Sequence, residues 1–506
     1  MKKLILLIVT GLIDFVFIVM VLFSSSQDRL DIKDISYRPP QFAGSFYPSH
    51  PDLLRKNLDD FLKLDSPLTV EDSIIALVVP HAGYVYSGWV AGKAYRQVNG
   101  LNYDAVIIIG PSHQKSFKGS SVFSGDAYVT PLGNAMIDKK LSIEIASVNQ
   151  NVRLSLDGHD WRTQQSEHSI EVQIPFLQRV LPNVPIVPIC MGSQDNSSID
   201  DLMKAIVFGI KNSGKNILIV ASSDLSHYHD LLSAKSMDMP LTSAFGRLDY
   251  FKIASQCSSR KWEACGFAPI AVAMMAAEQL GANDAKPLLY STSAGSPYAK
   301  ASEDRVVGYL SGAIIKNENK TLDILPKLSE KNKKTLLKAA RQTVEACSGK
   351  KENYSPGKSS PELSENYAAF VTLKKKGELR GCMGHTFSNQ PLIDEVIEAA
   401  RLASTHDPRF PSVRKSELND LVLEISVLSR YKRVLDTGEI QTGDDGVYLR
   451  LGDSTGLFLP QVAREQKWDT KTFLEHLGLK AGLKKDAYLN PNAELYRFRA
   501  LVIKED

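Results

Sequence analysis

The stretch SIIALVVPHAGYVYSG, residues 73–88, decides how this chain folds. Its opening run, 74–79, is aliphatic without a break and reads as a strand buried on both faces. Pro80 ends the run, and His81 follows at once on a loop that continues through Ala82 and Gly83. The strand therefore delivers an imidazole at its carboxyl end, the edge where open α/β sheets bind ligands. The pattern occurs twice more. DAVIII at 104–109 runs into Gly110, Pro111, Ser112 and His113, and NILIV at 216–220 runs into ASSDLSHYH at 221–229, which carries Asp224, His227 and His229. One loop histidine reads most simply as a solvated or capping residue. Three strands releasing histidine at the same end read as a shared metal or acid–base site.

A fourth stretch joins them. WEACGFAPI at 262–270 leads into an Ala/Met-rich helix over 271–280, so Cys265 stands just ahead of a helix N-terminus with Gly266 beside it. Unpaired N–H groups and the helix dipole stabilise a thiolate there, whereas the plainer reading is a buried structural cysteine. Two imidazoles, His81 and His113, with the Cys265 thiolate suit Fe(II), Cu(I) or Zn(II) and do not suit Mg or Ca. His227 is then the nearby acid–base group, with Asp224 as its orienter or an outer ligand. QSEHSIEVQ at 165–173 reads as the start of a helix. Glu167 and Glu171 share a face and His168 lies about 100° away, which fits capping and pocket lining better than a self-contained metal site.

Composition bounds the rest. The chain has 506 residues, 43% hydrophobic and 23% charged, which predicts two or three globular domains. A net charge of +3 with no basic stripe gives no indication of nucleic-acid binding. The five cysteines (Cys190, Cys257, Cys265, Cys347 and Cys382) form no CxxC pair, so neither a disulfide framework nor a zinc ribbon is expected. Residues 4–23 are almost wholly apolar, interrupted by Asp14, and long enough to cross a bilayer. They read as an uncleaved transmembrane anchor rather than a signal peptide. Lys2 and Lys3 favour an inside N-terminus, which would place the domains outside the cytoplasm.

Further along, helices are expected over 52–64, 89–98, 142–150 and 199–212, a hairpin over 121–133, and strands over 184–190, 286–292 and 305–315. The polar, lysine-rich stretch 317–334 marks a boundary, and Ser329 is a candidate N-cap for a helix over 329–346. LRGCMGH at 379–385 brackets Cys382 and His385 with glycines. The two could be a nucleophile–base pair or half a metal site, or the segment could be a glycine-rich bend with an incidental cysteine.

AGSFYP, PHAGYVYSG, GPSH, EHSIEVQIPFL, SSDLSH and ACGFAPI, in that order, resemble the Memo family across 36–316. The resemblance implies a fold like the class III extradiol dioxygenases, with His81 and His113 at the metal-histidine positions and Cys265 where those enzymes hold a carboxylate. His227 falls at their catalytic histidine. It implies bound iron or copper, with zinc ranked behind, and leaves the reaction open. LRGCMG, DPRFP, LEISVLS and LFLPQVA with Trp468 resemble the AMMECR family across about 330–506, where Cys382 is the position to test first. The two together resemble components of AmmeMemoRadiSam systems, which implies a radical SAM partner protein. This chain has no CxxxCxxC motif, so any iron–sulfur cluster would come from that partner.

The expected architecture is a membrane anchor (1–27), a Memo-like α/β domain (36–316), a linker (317–334) and a smaller AMMECR-like α+β domain (335–506). The expected function is a metal-dependent redox enzyme acting on a small molecule or peptide, or else a non-catalytic metal- or peptide-binding adaptor. A hydrolase using Ser222, Ser223 or Cys382 ranks last, for want of a GxSxG elbow.

Overall fold

Strands too apolar to face water on either side must be covered by helices on both, and that requirement builds the first part of the molecule. The computed structural model describes residues 37–63, 70, 72–163, 166–318, 325–349, 360–388 and 390–505. It divides into two compact units, one of residues up to 235 with 264–280 and 288–313, the other of 236–263, 281–287 and 314 onward.

In chain order the strands that begin the molecule are β1 (Tyr37–Arg38), β2 (Ser73–Val79), β3 (Ala105–Pro111), β4 (Ser120–Phe123), β5 (Ala127–Thr130), β6 (Gly133–Met136) and β7 (Val152–Ser155). They continue with β8 (Ile186–Met191), β9 (Ile217–Ser222), β10 (His227–His229), β11 (Asp284–Thr292) and β12 (Val306–Lys316). Nine of these form one sheet in the order β10-β12-β2-β9-β3-β8-β4-β7, with β11 on β12, while β1, β5 and β6 make a small separate sheet. β2, β9, β3 and β8 run parallel. Val79 lies opposite Ser222 and Ile109 opposite Ala221, so the carboxyl ends of the three histidine-bearing strands finish level.

Tyr84–Tyr95 and Phe267–Gln279 are the crossover helices nearest that edge. The second is buried continuously from Ala268 to Glu278, as its even Ala/Met composition requires. The first begins five residues before the helix expected over 89–98. Gly88 and Gly92 are the points where the helix presses on Phe61. The hairpin expected over 121–133 is displaced too: β4 joins the main sheet, and the hairpin pairs β5 with β6.

The helix expected from 165 does not start there. Residues 166–168 are irregular, Glu171–Gln173 form a 3-10 turn, and the α-helix is Ile174–Val180 with Pro175 in its first turn. Glu167 spends a carboxylate oxygen on the backbone N–H groups of His168 and Ser169, which holds the chain open.

The transmembrane helix expected over 4–23 is not upheld. Among the described residues no helix is long and apolar enough to cross a membrane, and 4–23 itself lies outside them. The two longest helices, Asn196–Ser213 and Glu330–Cys347, carry charged faces that a bilayer core would reject. Membrane anchoring, the inside N-terminus and the placement of the domains outside the cytoplasm are withdrawn with it.

The second unit holds β13 (Ala369–Lys375), β14 (Glu378–Gly384), β15 (Leu421–Leu428), β16 (Lys432–Arg433), β17 (Gly446–Leu451), β18 (Ser454–Phe458), β19 (Glu494–Phe498) and β20 (Ala500–Lys504). They form two four-stranded sheets, β14-β13-β15-β20 and β16-β19-β17-β18. Glu330–Cys347, capped by Ser329 as expected, and Leu392–Thr405 bury Leu336, Val396 and Ala400 with Val371, Leu373 and Ile425 of the first sheet. The helix Tyr250–Ser258, for which the sequence offered no expectation, also lies in this unit. Its Phe251 stacks on Phe387 at 4.9 Å and meets Tyr496 edge-on at 4.6 Å. The backbone N–H of Arg433 donates to Tyr250 Oη at 2.7 Å.

Candidate metal centre

The level strand ends bring four distant segments together. His81 is buried at the end of β2, and its backbone N–H donates to Asp224 Oδ1 at 2.8 Å. Its ring Nδ1 lies 2.9 Å from Ser222 Oγ, the last residue of β9. The proton inventory around Ser222 fixes the imidazole tautomer. Ser222 Oγ donates its single hydrogen to the Ser169 carbonyl at 2.6 Å and accepts from Gln173 Nε2 at 2.8 Å. It has no second hydrogen to give, so His81 Nδ1 must be the donor and Nε2 carries the lone pair. That Nε2 lies 3.1 Å from Cys265 Sγ.

His113 is oriented by a carboxylate. Its backbone N–H donates to Glu167 Oε2 at 2.6 Å and its Nδ1 lies 3.0 Å from Glu167 Oε1, so Nε2 is the nitrogen left for an ion. Burial alone would raise the Glu167 carboxyl, but the His113 ring, the neighbouring His168 and the backbone donor pull it down to about 2. His168 stacks on His113 with ring centroids 4.8 Å apart and crosses His81 at 5.2 Å. Burial lowers its pKa to about 4, against the pull of Glu167. The ligand atoms of His81, His113 and His168 all lie within 4.8 Å of one another, a three-histidine group able to hold a metal ion. Neutral imidazole nitrogens beside a sulfur fit a late first-row ion and not Mg or Ca. The 3.1 Å between Cys265 Sγ and His81 Nε2 is also close to what bonds of ~2.1 and ~2.3 Å to one ion give at a right angle.

Cys265 is placed by close packing. A Cβ on Gly266 would stand 2.4 Å from the Ser222 carbonyl, so only glycine lets the segment before Phe267–Gln279 approach β9 this closely. The Asp224 backbone N–H donates to Cys265 Sγ at 3.3 Å. Burial and the Asp224 carboxylate both push the thiol pKa up, so a bound cation, rather than the helix end alone, would be needed to hold it as thiolate. Asp224 is buried, and burial raises its carboxyl to about 6 against the His81 N–H and nearby imidazoles. His227 Nδ1 donates to the Leu225 carbonyl at 2.8 Å, leaving its Nε2 an acceptor.

The loop at 38–48 is tied to this centre by the other carboxylate of the EHSIEV segment. Glu171 accepts from the Gln41 and Phe42 backbone at 2.9 and 2.8 Å and from Tyr47 Oη at 2.7 Å, and it pairs with the buried Arg38 guanidinium. Phe42 and Phe46 thereby reach His168, at 5.6 and 4.7 Å. Glu167 and Glu171 thus face different tasks, one orienting the histidines and the other anchoring the loop over them.

Of the residues singled out from sequence, His81, His113, Cys265, Asp224, Glu167 and His168 are brought together, with His227 at the start of β10. Cys382 and His385 are not a pair. Cys382 Sγ accepts from Thr372 Oγ1 at 3.2 Å while His385, one residue beyond the end of β14, has its Nδ1 2.8 Å from Glu395. Ser222, Ser169 and Gln173 were not foreseen as parts of the centre. A glutamine inside the apolar run EVQIPFL was the available signal.

Strand-end histidines over a parallel sheet, steadied by buried serine, glutamine and carboxylate partners, define an α/β protein with a candidate metal centre at the carboxyl edge. The chain belongs to the Memo-like protein family, whose model matches residues 38–313, and carries in addition an AMMECR1 match over 337–503. It is 33% identical to a MEMO1 family protein of Methanobrevibacter smithii over 285 residues, 54% of this chain and 98% of the relative. It is 32% identical to one of Archaeoglobus fulgidus over 272 residues, 54% and 97% of the respective chains. Among solved structures, an uncharacterized protein of Pyrococcus horikoshii aligns at 35% identity and TM-score 0.33, covering 34% of this chain and 90% of that one.

Proposed function

We propose that residues 38–313 form a metal-dependent redox protein whose ion, iron or copper, is held by His81, His113 and Cys265. The observation that carries this reading is the lone pair of His81 Nε2 set 3.1 Å from Cys265 Sγ, with His113 Nδ1 engaged by Glu167 so that Nε2 is the nitrogen left for an ion. The donor set of two imidazoles and a sulfur favours iron or copper over harder ions, and such an ion would supply one-electron chemistry and polarise a bound substrate. The protein's own groups do the rest. Ser222 and Glu167 keep the two rings in the ligating tautomer, and Phe42, Phe46 and the His168 ring keep water from one side. His227 Nε2 accepts a proton from substrate. Its Nδ1–H is held by the Leu225 carbonyl, so the ring cannot turn that nitrogen toward the pocket.

Metal analysis of protein purified without oxygen tests the ligand set. Wild type should retain close to one iron or copper per chain, and Cys265→Ala should lose it while keeping its far-ultraviolet spectrum. Full retention in Cys265→Ala with loss in His168→Ala would move the third ligand to His168. Loss in neither variant would remove the centre from this edge altogether.

A further inference from the structure

The second unit contains a cavity of about 200 Å³ that the metal reading does not use. One wall is flat and apolar. Phe251 and Phe387 stack at 4.9 Å with 13° between their planes, and Tyr431 packs 5.2 Å from each. Against this wall lies Lys252, only 9% exposed. Its ammonium donates to the Ser388 carbonyl at 2.8 Å and sits 5.9 Å over the Trp262 ring. Among the described residues no carboxylate comes within ion-pair distance of it, so two of its three N–H donors are left without a protein acceptor.

The acids that share the cavity are committed elsewhere. Asp249 Oδ1 caps the helix Tyr250–Ser258 by accepting the Lys252 backbone N–H at 3.1 Å, and Asp284 Oδ1 accepts the Ala285 N–H at 2.9 Å. Arg247 adds a second cation. It donates to Ser243 Oγ at 2.7 Å, and among the described residues its one ion pair, with Glu365, is long at 3.9 Å. Burial pushes the Lys252 amine down to about 8, with Asp249 opposing and Arg247 adding to the shift. A buried ammonium with no carboxylate in direct contact is unfavourable unless something else supplies one.

We propose that this cavity binds a small organic anion with a flat, unsaturated body: its anionic group meets Lys252 Nζ and Arg247, and its body lies along Phe387 and Tyr431. The site is independent of the metal centre. Its chemistry is a charge-assisted hydrogen bond at one end and ring stacking at the other.

Titration calorimetry of the full chain at constant ionic strength, with benzoate and phenyl phosphate as probes and inorganic phosphate as the headgroup control, tests it. One aromatic probe should bind saturably and more tightly than inorganic phosphate, and the better of the two tells carboxylate from phosphate ester. Lys252→Met should weaken that probe by about tenfold or more, as expected for losing a charged hydrogen bond, while Lys252→Arg keeps most of the affinity. Because the ammonium has only the Ser388 carbonyl to lose and no ion pair, Lys252→Met should melt close to wild type. If Lys252→Met fails to fold, Arg247→Gln must produce the same selective weakening. Absence of saturable binding, or binding indifferent to both substitutions, overturns the proposal.

Discussion

At the scale of single residues, the centre depends on where a few protons are. Ser222 Oγ is the acceptor that keeps hydrogen on His81 Nδ1 and the lone pair on Nε2. Ser222→Ala should leave the His81 and Gln173 donors unpaired, lower stability by about 1–3 kcal/mol, and weaken metal binding about 10–100-fold; chelator competition and urea denaturation read the two effects separately. His159 gives a pH prediction away from the metal. Its Nε2 donates to the Ser121 carbonyl at 3.0 Å and its Nδ1 accepts from Tyr128 Oη at 2.6 Å, so the buried neutral ring is satisfied. Burial lowers its pKa from 6.5 to about 4. Between those values the unfolded chain takes up a proton that the folded chain refuses. The stability it contributes is therefore whole above pH 6.5 and lost as pH falls toward 4. That loss is about 2 kcal/mol by pH 5, and it should be absent from His159→Gln in urea titrations at pH 7.5 and 5. His81 and His113 were legible because a strand end betrays itself in sequence. Ser222 and Gln173 were not, because a hydroxyl or amide in an apolar run looks alike whether it caps a turn or orients a ligand.

At the scale of elements, glycine decided what the periodicity of apolar residues could not. The helix after His81 was expected over 89–98, whereas the observed helix Tyr84–Tyr95 starts earlier and uses Gly88 and Gly92 to press against Phe61. A Cβ on Gly92 would stand 2.4 Å from the Phe61 carbonyl oxygen, an atom fixed by its own helix. Gly92→Ala gains about 1 kcal/mol of helix propensity but should still destabilise the protein, because overpacking against backbone costs about 1–3 kcal/mol; a lowered urea midpoint is the check. Gly266→Ala meets the same obstacle at the Ser222 carbonyl. It should shift Cys265 away from His81, reducing metal retention more than it reduces the melting temperature. The parallel strands themselves were readable to within about two residues. The helices Leu231–Gly246 and Tyr250–Ser258 were not, since Pro240 and a mixed pattern hid the first and its loop hid the second.

At the scale of the whole molecule, the family boundaries and the compact units do not coincide. The Memo-like match runs over 38–313, yet 236–263 and 281–287 are grouped with the residues after 314. Phe251, 5% exposed, sits among Phe387, Tyr431, Tyr448 and Tyr496. Phe251→Ala should cost about 3–5 kcal/mol and show its loss in the tyrosine near-ultraviolet signal of the second unit, with metal content unchanged. A protein expressed from 337–503 alone should melt well below the second unit within the full chain.

The ring of Phe251 makes the stretch before the lysine-rich segment and the stretch after it dependent on one another. Severing the chain at the lysine-rich stretch would strand a greasy knob on one half and leave a socket open in the other.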